Sequence, residues 1–191
     1  MLDFSNSKIL IVGDVMLDKY YFGKVDRISP EAPVPIVNIQ KEESRLGGAS
    51  NVANNIVSLG GHSLLCGVIG HDLFGKEIER ISRHKNIDTF LLKTSSPTIT
   101  KARIIGGKQQ IVRVDYEDKS ELNADNKKLF RDTISRILPE YDILVISDYG
   151  KGLISEDLCR YLIKLAHKYD KKVIIDPKGK NWEKYSGADI V

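Results

Sequence analysis

The stretch GGASNVANNIVSLGGHSLLCGVIG, residues 47–70, predicts a helix followed by a strand. A glycine pair precedes apolar residues at helical spacing, and a second glycine pair precedes a continuous apolar run. This spacing predicts a helix over 50–59, with Ser50 as its N-cap and Gly60 at its C-terminal end, and then a strand over 63–69. The first glycine pair lets the backbone approach a ligand closely, but on the glycines alone a ligand cradle and a plain loop are equally compatible with the pattern.

The same alternation of apolar runs and amphipathic segments continues on both sides of this stretch. Buried strands are predicted at three further apolar runs: 8–12, 143–146 and 172–175. Helices are predicted at three amphipathic segments: 73–83, 125–138 and 155–167. Continuous apolar strands between helices are typical of a parallel sheet covered on both faces, so the sequence predicts an α/β fold.

Two segments interrupt this alternation. ISPEAPVPIVNIQ, residues 28–40, contains three prolines that exclude a helix and favour extended edge structure. In 97–117, two β-rich arms flank Gly106-Gly107, which is a strong signal for a hairpin. Together the segments at about 17–45 and 97–117 predict a small antiparallel sheet that projects from the α/β body as a lid. No repeat or low-complexity linker indicates a second independent domain.

Composition narrows the class of protein. The 191 residues carry a net charge of +3, and 41% of them are hydrophobic. No apolar stretch is long enough to cross a membrane, and nothing resembles a signal peptide, so we expect a cytoplasmic protein that binds no membrane. Cys66 and Cys159 stand in apolar surroundings and are predicted to be reduced core thiols, with no metal site. The lysine-rich segment 164–184 lacks an aromatic series and indicates a solvated surface rather than nucleic-acid binding; the weakly basic balance suits an anionic small substrate.

Three predicted strands are followed at once by an aspartate: Asp14, Asp148 and Asp176. A single aspartate in this position is usually a cap or turn residue, but three at the carboxyl edge of one sheet favour a ligand site. Carboxylates there accept hydrogen bonds from sugar hydroxyls or help to hold hydrated Mg²⁺. Asp18, four residues beyond Asp14, is close enough to join them. Neither the GxxxxGK[ST] nor the GxGxxG spacing of nucleotide-binding loops occurs.

Residues 47–70 resemble the N-terminal signature of the ribokinase-like (PfkB) carbohydrate kinases. The matching positions of that signature are Gly47, Gly48, Ala49, Asn51, Ala53, Gly60 and Gly70. Five further segments between residues 13 and 179 resemble the kinase domain of the bacterial heptose 7-phosphate kinase and ADP-heptose synthase group: GDVMLDKYYFGKVDRISPEAPVPIV, PTITKARI, QQIVRVDYE, SDYGKG and IDPKG. The resemblance therefore extends over nearly the whole chain.

This resemblance implies a ribokinase-like three-layer sandwich with a β lid that closes over a sugar and often forms a dimer contact. It also implies transfer of phosphate from ATP, with Mg²⁺, to the anomeric hydroxyl of D-glycero-D-manno-heptose 7-phosphate, a step towards ADP-heptose and the lipopolysaccharide core. The positions that match the sugar-binding places of the family are Asp18, Gly47, Gly48 and Asn51.

The remaining candidate residues follow from position and chemistry. Arg113 is the first candidate for the existing phosphate of the substrate, because a guanidinium binds phosphate with two hydrogen bonds; Arg103 and Lys151 are the alternatives. Asp148 is assigned to the substrate from its place at a strand end. Asp176 and Lys178 are assigned to the nucleotide.

The sequence also departs from the family pattern. A GxGD stretch, whose aspartate is the general base of these kinases, and an Asn-x-x-Glu motif are both missing from residues 1–191. We therefore expect the N-terminal part of one kinase domain, with the C-terminal part of the fold and the catalytic base beyond residue 191, and no kinase activity from this part alone. Two other functions stay open: a PfkB kinase of a fructose- or ribose-type sugar, and a non-catalytic sugar-phosphate-binding or dimerising module if the chain is complete.

Overall fold

A computed structural model describes residues 4–178 and 182–191. The strands are β1 (Lys8–Gly13), β2 (Val15–Ile28), β3 (Pro35–Gly48), β4 (His62–Gly70), β5 (Asp88–Thr94), β6 (Thr100–Gly106), β7 (Gln109–Tyr116), β8 (Ile143–Ser147) and β9 (Lys172–Asp176). The helices are α1 (Ala49–Ser58), α2 (Leu73–His84), α3 (Ala124–Ile137) and α4 (Glu156–Lys168), with short 3₁₀ turns at Leu138–Glu140 and Glu183–Tyr185.

The main sheet is parallel and has the strand order β5-β4-β1-β8-β9. Side chains of β1 alternate between its two faces, as the two-residue period of a strand requires. Ile9 and Ile11 pack into the apolar cluster that contains α1 and α2, whereas Leu10 and Val12 pack into the cluster that contains α3 and α4. The predicted α/β sandwich of three layers is therefore confirmed.

The second sheet has the order β3-β2-β6-β7 and is mixed, so the prediction of an antiparallel lid is wrong in one pairing. The predicted hairpin of β6 and β7 is antiparallel, and the extended segment predicted at about 17–45 forms a second antiparallel hairpin, of β2 and β3. The two hairpins join through β2 and β6, which are parallel. Both strands leave the carboxyl edge of the main sheet, after β1 and β5, and so run outward in the same direction.

Two local predictions also differ from the structure. The strand β5 was missed because its sequence, DTFLLKT, is a half-exposed edge strand without a continuous apolar run. Ser50 is not the N-cap of α1: the cap position is Gly48, and no side chain caps the helix. The Ser50 hydroxyl instead donates to the carbonyl oxygen of Gly47 at 2.6 Å, because β3 runs into α1 without an intervening loop.

The strand order determines where a ligand crevice lies. From β1 the chain proceeds to β4 and β5 on one side, and later to β8 and β9 on the other side. In sheets of this kind the crevice forms at the carboxyl ends of the strands where the order reverses, here at β1 and β8.

No helix in the described part of the chain is long and apolar enough to span a membrane. Cys66 and Cys159 are free, buried core thiols, as predicted.

Candidate functional site

Asp14, at the end of β1, holds the loop that follows β8. It is 2% exposed, and its Oδ2 accepts hydrogen bonds from the backbone N–H groups of Tyr149 (2.8 Å) and Lys151 (3.1 Å). Burial raises the pKa of Asp14, and these N–H donors counteract the rise. Asp14 thus fixes the loop over 149–153 against β1 and thereby sets the position of Tyr149.

Asp148, which was assigned to the substrate, is 2% exposed and engaged in contacts within the chain. Its Oδ1 accepts a hydrogen bond from the Gly150 N–H at 2.8 Å, while its Oδ2 accepts one from the Tyr185 hydroxyl at 2.7 Å and pairs with Lys184. Burial lowers the pKa of Lys184, but the hydrogen bond and charge of Asp148 outweigh it and raise that pKa. Asp148 thus links the end of β8 to the Glu183–Tyr185 turn, and it does not line the cavity that contains Asp18.

A cavity of about 690 Å³ brings together the four residues that the resemblance assigned to the sugar: Asp18, Gly47, Gly48 and Asn51. We call it the Asp18 cavity. A Cβ on Gly47 would lie 2.5 Å from Oδ2 of Asp18, so glycine is what leaves room for this carboxylate. Gly48 has a φ of +55°, and a Cβ there would lie 2.4 Å from the carbonyl oxygen of Asp14. The turn from strand to helix therefore also requires glycine.

Basic side chains surround the Asp18 carboxylate. Nη1 of Arg103 donates to Oδ1 of Asp18 at 2.6 Å. Burial lowers the pKa of Arg103, yet this hydrogen bond and the charge of Asp18 raise it overall. Three further basic side chains line the same cavity: Arg45, Lys85 and Lys101. Within the described residues, Asp18 is the one acidic side chain in the lining, so the cavity carries a positive balance that suits an anionic ligand.

Tyr149 is a lining residue that the sequence reasoning did not single out. Its half-buried side chain lines the Asp18 cavity. Burial, the nearby Asp176 carboxylate and a hydrogen bond with that carboxylate raise the pKa of the Tyr149 phenol. This ring therefore lies between the cavity and the end of β9. Its place in SDYGKG, directly after a strand-end aspartate, was the available signal, but position in the sequence does not show which way a ring points.

Two candidates for binding the phosphate lie outside the Asp18 cavity. Arg113 is on β7, and its half-exposed guanidinium makes two hydrogen bonds to Asp115, of 2.8 and 3.0 Å. Lys151 pairs with Glu117 and lines a second cavity, of about 230 Å³, that Asp14 also borders. The structure therefore brings Arg103 to Asp18 and leaves these two side chains apart from it.

The two residues assigned to the nucleotide lie at and beyond the end of β9. Asp176 is the last residue of that strand and is exposed. Lys178 is exposed as well, and its backbone N–H donates to the Tyr185 hydroxyl at 3.2 Å. Gly179, the last residue of the IDPKG segment, lies outside the described residues.

Comparison with known proteins shows which family the chain belongs to. The profile of the pfkB family carbohydrate kinases matches residues 6–189. The chain belongs to this family. Its fold is similar to that of several solved proteins. One is a putative phosphofructokinase from Staphylococcus aureus, with a TM-score of 0.75 at 14% identity over 93% of this chain and 55% of that one. Another is a possible 1-phosphofructokinase from Thermotoga maritima, with a TM-score of 0.73 at 21% identity over 95% and 57% of the two chains. At these identities the likeness shows the fold alone.

Two curated relatives within the pfkB family are more similar in sequence. The bifunctional protein HldE of Helicobacter pylori (strain P12) is 47% identical over 186 residues, which cover 96% of this chain and 40% of HldE. The D-beta-D-heptose 7-phosphate kinase of Bordetella bronchiseptica is 44% identical over 188 residues, which cover 98% of this chain and 59% of that kinase. The chain thus spans 40% of the length of the first relative and 59% of the second.

Proposed function

We propose that this chain is the sugar-binding part of an ATP-dependent kinase that phosphorylates the anomeric hydroxyl of D-glycero-D-manno-heptose 7-phosphate on the route to ADP-heptose and the lipopolysaccharide core. The observation that supports this most is the Asp18 carboxylate, held beside Gly47 and Asn51 in a cavity with a positive lining. Such a cavity offers acceptors to sugar hydroxyls and charge to a substrate phosphate. Two relatives with names of heptose metabolism, at 44% and 47% identity, support the choice of sugar.

In this proposal each part of the cavity has a task that its chemistry supports. Asp18 accepts hydrogen bonds from sugar hydroxyls, and Asn51 both donates and accepts at the start of α1. The sheet of β3, β2, β6 and β7 covers the sugar and excludes water, which strengthens the electrostatic contacts inside. Tyr149 separates the sugar from the end of β9, where we place the nucleotide.

We also propose that ATP and Mg²⁺ bind at Asp176 and Lys178. An exposed carboxylate at a strand end fits a hydrated Mg²⁺ that takes most of its ligands from phosphate and water. Within residues 4–178 and 182–191, no group of three or more His, Cys, Asp or Glu side chains is arranged around a metal position. Bound Mg²⁺ would neutralise phosphate charge, and Lys178 would add a second positive charge beside it.

Two free cysteines support a cytoplasmic location.

The test of the sugar assignment is Asp18→Ala in a full-length protein that carries this chain. We expect the KM for heptose 7-phosphate to rise roughly 30-fold or more, since a carboxylate that accepts two hydroxyl hydrogen bonds contributes about 2–4 kcal/mol. The KM for ATP should change little. Asp26→Ala, an exposed carboxylate on the same strand, is the matched control and should leave both constants unchanged. An unchanged sugar KM in Asp18→Ala would contradict the assignment, and higher activity on fructose or ribose would change the sugar.

The lid is also proposed to form a homodimer. Several large apolar side chains of the second sheet and its β2–β3 turn are exposed: Val25, Ile28, Val34, Ile39, Ile111, Val112 and Val114. A thin sheet that leaves such residues in water is expected to find a partner. Ile28→Glu should convert a dimer to a monomer in light scattering, whereas Leu59→Glu, at the end of α1, should not. A strictly monomeric wild-type protein at high micromolar concentration would count against the dimer.

A further inference from the structure

The face of the second sheet that borders the Asp18 cavity carries an aromatic ring among cations. In the strand register, Asp18 pairs with Arg45 on β3 and with Lys101 on β6, and Tyr20 pairs with Arg103 on β6. Residues that pair directly across neighbouring strands point to the same face. Tyr20 therefore shares its face with Asp18, and all five side chains line the cavity.

Two guanidinium groups lie over the Tyr20 ring. The Cζ atoms of Arg45 and Arg103 are 4.9 and 5.1 Å from its centroid. A tyrosine ring attracts cations and offers guanidinium planes a surface to stack on, so it holds two like charges close together. Glu43 accepts a hydrogen bond from Nη2 of Arg45 at 2.8 Å, and Asp18 accepts one from Nη1 of Arg103 at 2.6 Å. These bonds hold the two guanidinium groups in position.

Each of these arginines retains hydrogen-bond donors. A guanidinium has five N–H groups, and in contacts with the described residues Arg45 donates through Nη2 and Arg103 through Nη1. Guanidinium groups with remaining donors bind phosphate through paired N–H···O bonds. The surrounding lining adds the ammonium group of Lys85 and that of Lys101, which also lies 3.4 Å from Asp115, and both increase the attraction for a dianion.

We propose that Arg45 and Arg103, stacked on Tyr20, form the subsite for the phosphate that the sugar already carries. This inference rests on the proposed kinase function and deepens it: the Asp18 carboxylate takes the sugar hydroxyls, and the two guanidinium groups over Tyr20 take the phosphate. In the sequence-based hypothesis Arg113 is the first candidate for the phosphate and Arg103 an alternative; the structure favours Arg103, and it adds Arg45 and Tyr20. Arg113 is the direct cross-strand neighbour of Arg103, but it is committed to Asp115 and does not line the cavity.

The decisive comparison is Arg45→Gln with Lys41→Gln in the full-length protein. Both cations are on β3 and share Glu43, at 2.8 Å for Arg45 and 2.5 Å for Lys41, and each lies near an aromatic ring, but Lys41 does not line the cavity. We expect Arg45→Gln to weaken binding of heptose 7-phosphate about tenfold or more, with at most about a threefold change for unphosphorylated heptose, in calorimetry. Lys41→Gln should leave both affinities unchanged. Arg103→Gln should weaken binding of both sugars, because it also removes the hydrogen bond to the Asp18 carboxylate.

A second measurement separates failure of the subsite from failure of the kinase proposal. Inorganic phosphate should raise the thermal midpoint of the wild type and of Lys41→Gln, and raise it less in Arg45→Gln, because a ligand that binds the folded state stabilises it. If the protein phosphorylates neither heptose but this pattern holds, the kinase proposal fails and the subsite stands. Three outcomes would overturn the subsite. Arg45→Gln could lower the affinity for both sugars equally, or Arg113→Gln could cause a larger loss of affinity that is specific to the phosphorylated sugar. Inorganic phosphate could also raise the thermal midpoint equally in all variants.

Discussion

At the scale of single residues, the position of the Asp18 carboxylate depends on a hydrogen atom at Gly47. Gly47 lies in β3 without a positive φ, so its backbone accepts alanine, but the new Cβ would lie 2.5 Å from Oδ2 of Asp18. The carboxylate must then shift from the position in which it accepts the hydrogen bond of Arg103. We expect Gly47→Ala to weaken sugar binding about tenfold in a calorimetric titration, with one charge-assisted hydrogen bond disturbed.

Gly60→Ala is the control for this prediction. Gly60 has a φ of +92° and no heavy atom near the position of a Cβ, so alanine there is strained but touches nothing. We expect it to lower the free energy of unfolding by about 1 kcal/mol and to leave the sugar affinity unchanged. Equal sugar affinities in Gly47→Ala and the wild type would show that Asp18 binds the sugar from another position or not at all.

At the scale of elements, Asp189 forms hydrogen bonds with the first two residues of the strand β9. Its carboxylate accepts hydrogen bonds from Lys172 Nζ at 2.8 Å and from the Val173 N–H at 2.9 Å, and His167 lies 3.3 Å away. These partners, Lys172 first, lower the pKa of Asp189 from its usual 3.8 to about 2. A lowered pKa means that the charged form favours the folded state, so its stabilising effect is present above the usual pKa and is lost as the pH falls towards 2.

Asp189→Asn should therefore reduce the stability at pH 7 and flatten the fall in stability between about pH 4 and pH 2. Urea unfolding at several pH values measures both effects. Asp26→Asn removes an exposed carboxylate on β2 and should keep the wild-type pH profile. If the Asp189→Asn profile matched that of the wild type, the Lys172 and Val173 contacts would not hold this carboxylate in solution.

At the scale of the whole molecule, the reactivity of the two cysteines measures the exposure of one apolar core. Cys66 on β4 and Cys159 on α4 are both 0% exposed and belong to the same apolar cluster. Burial raises the pKa of both thiols, that of Cys159 to about 11, so neither forms a reactive thiolate at neutral pH. We expect no reaction with a thiol reagent in the native protein. Both should react at the denaturant concentration at which circular dichroism reports unfolding. Earlier reaction of Cys159 alone would reveal local opening of α4.

The sequence by itself determined the four helices, four of the five strands of the parallel sheet and the glycine-rich turn from β3 to α1. Strands such as 8–12 and helices such as 73–83 follow from apolar periodicity within a few residues, and the structure reproduces them within one residue at either end. The glycine pair and Asn51 were singled out by a local sequence signature, and in the structure they lie at the turn from β3 to α1. These features were predictable because each depends on residues that are neighbours along the chain.

Only the tertiary structure decided the pairing of the two hairpins, the partners of the strand-end aspartates and the lining of the cavity. Arg103 reaches Asp18 across 85 residues of sequence, and Tyr185 reaches Asp148 across 37. Neither contact leaves a periodic trace in the sequence. They arise because β2 and β6 leave the same edge of one sheet and run side by side, and because the Glu183–Tyr185 turn packs against α4 beside the end of β8. Side chains with compatible charge meet wherever the backbone brings them, and that depends on the whole fold.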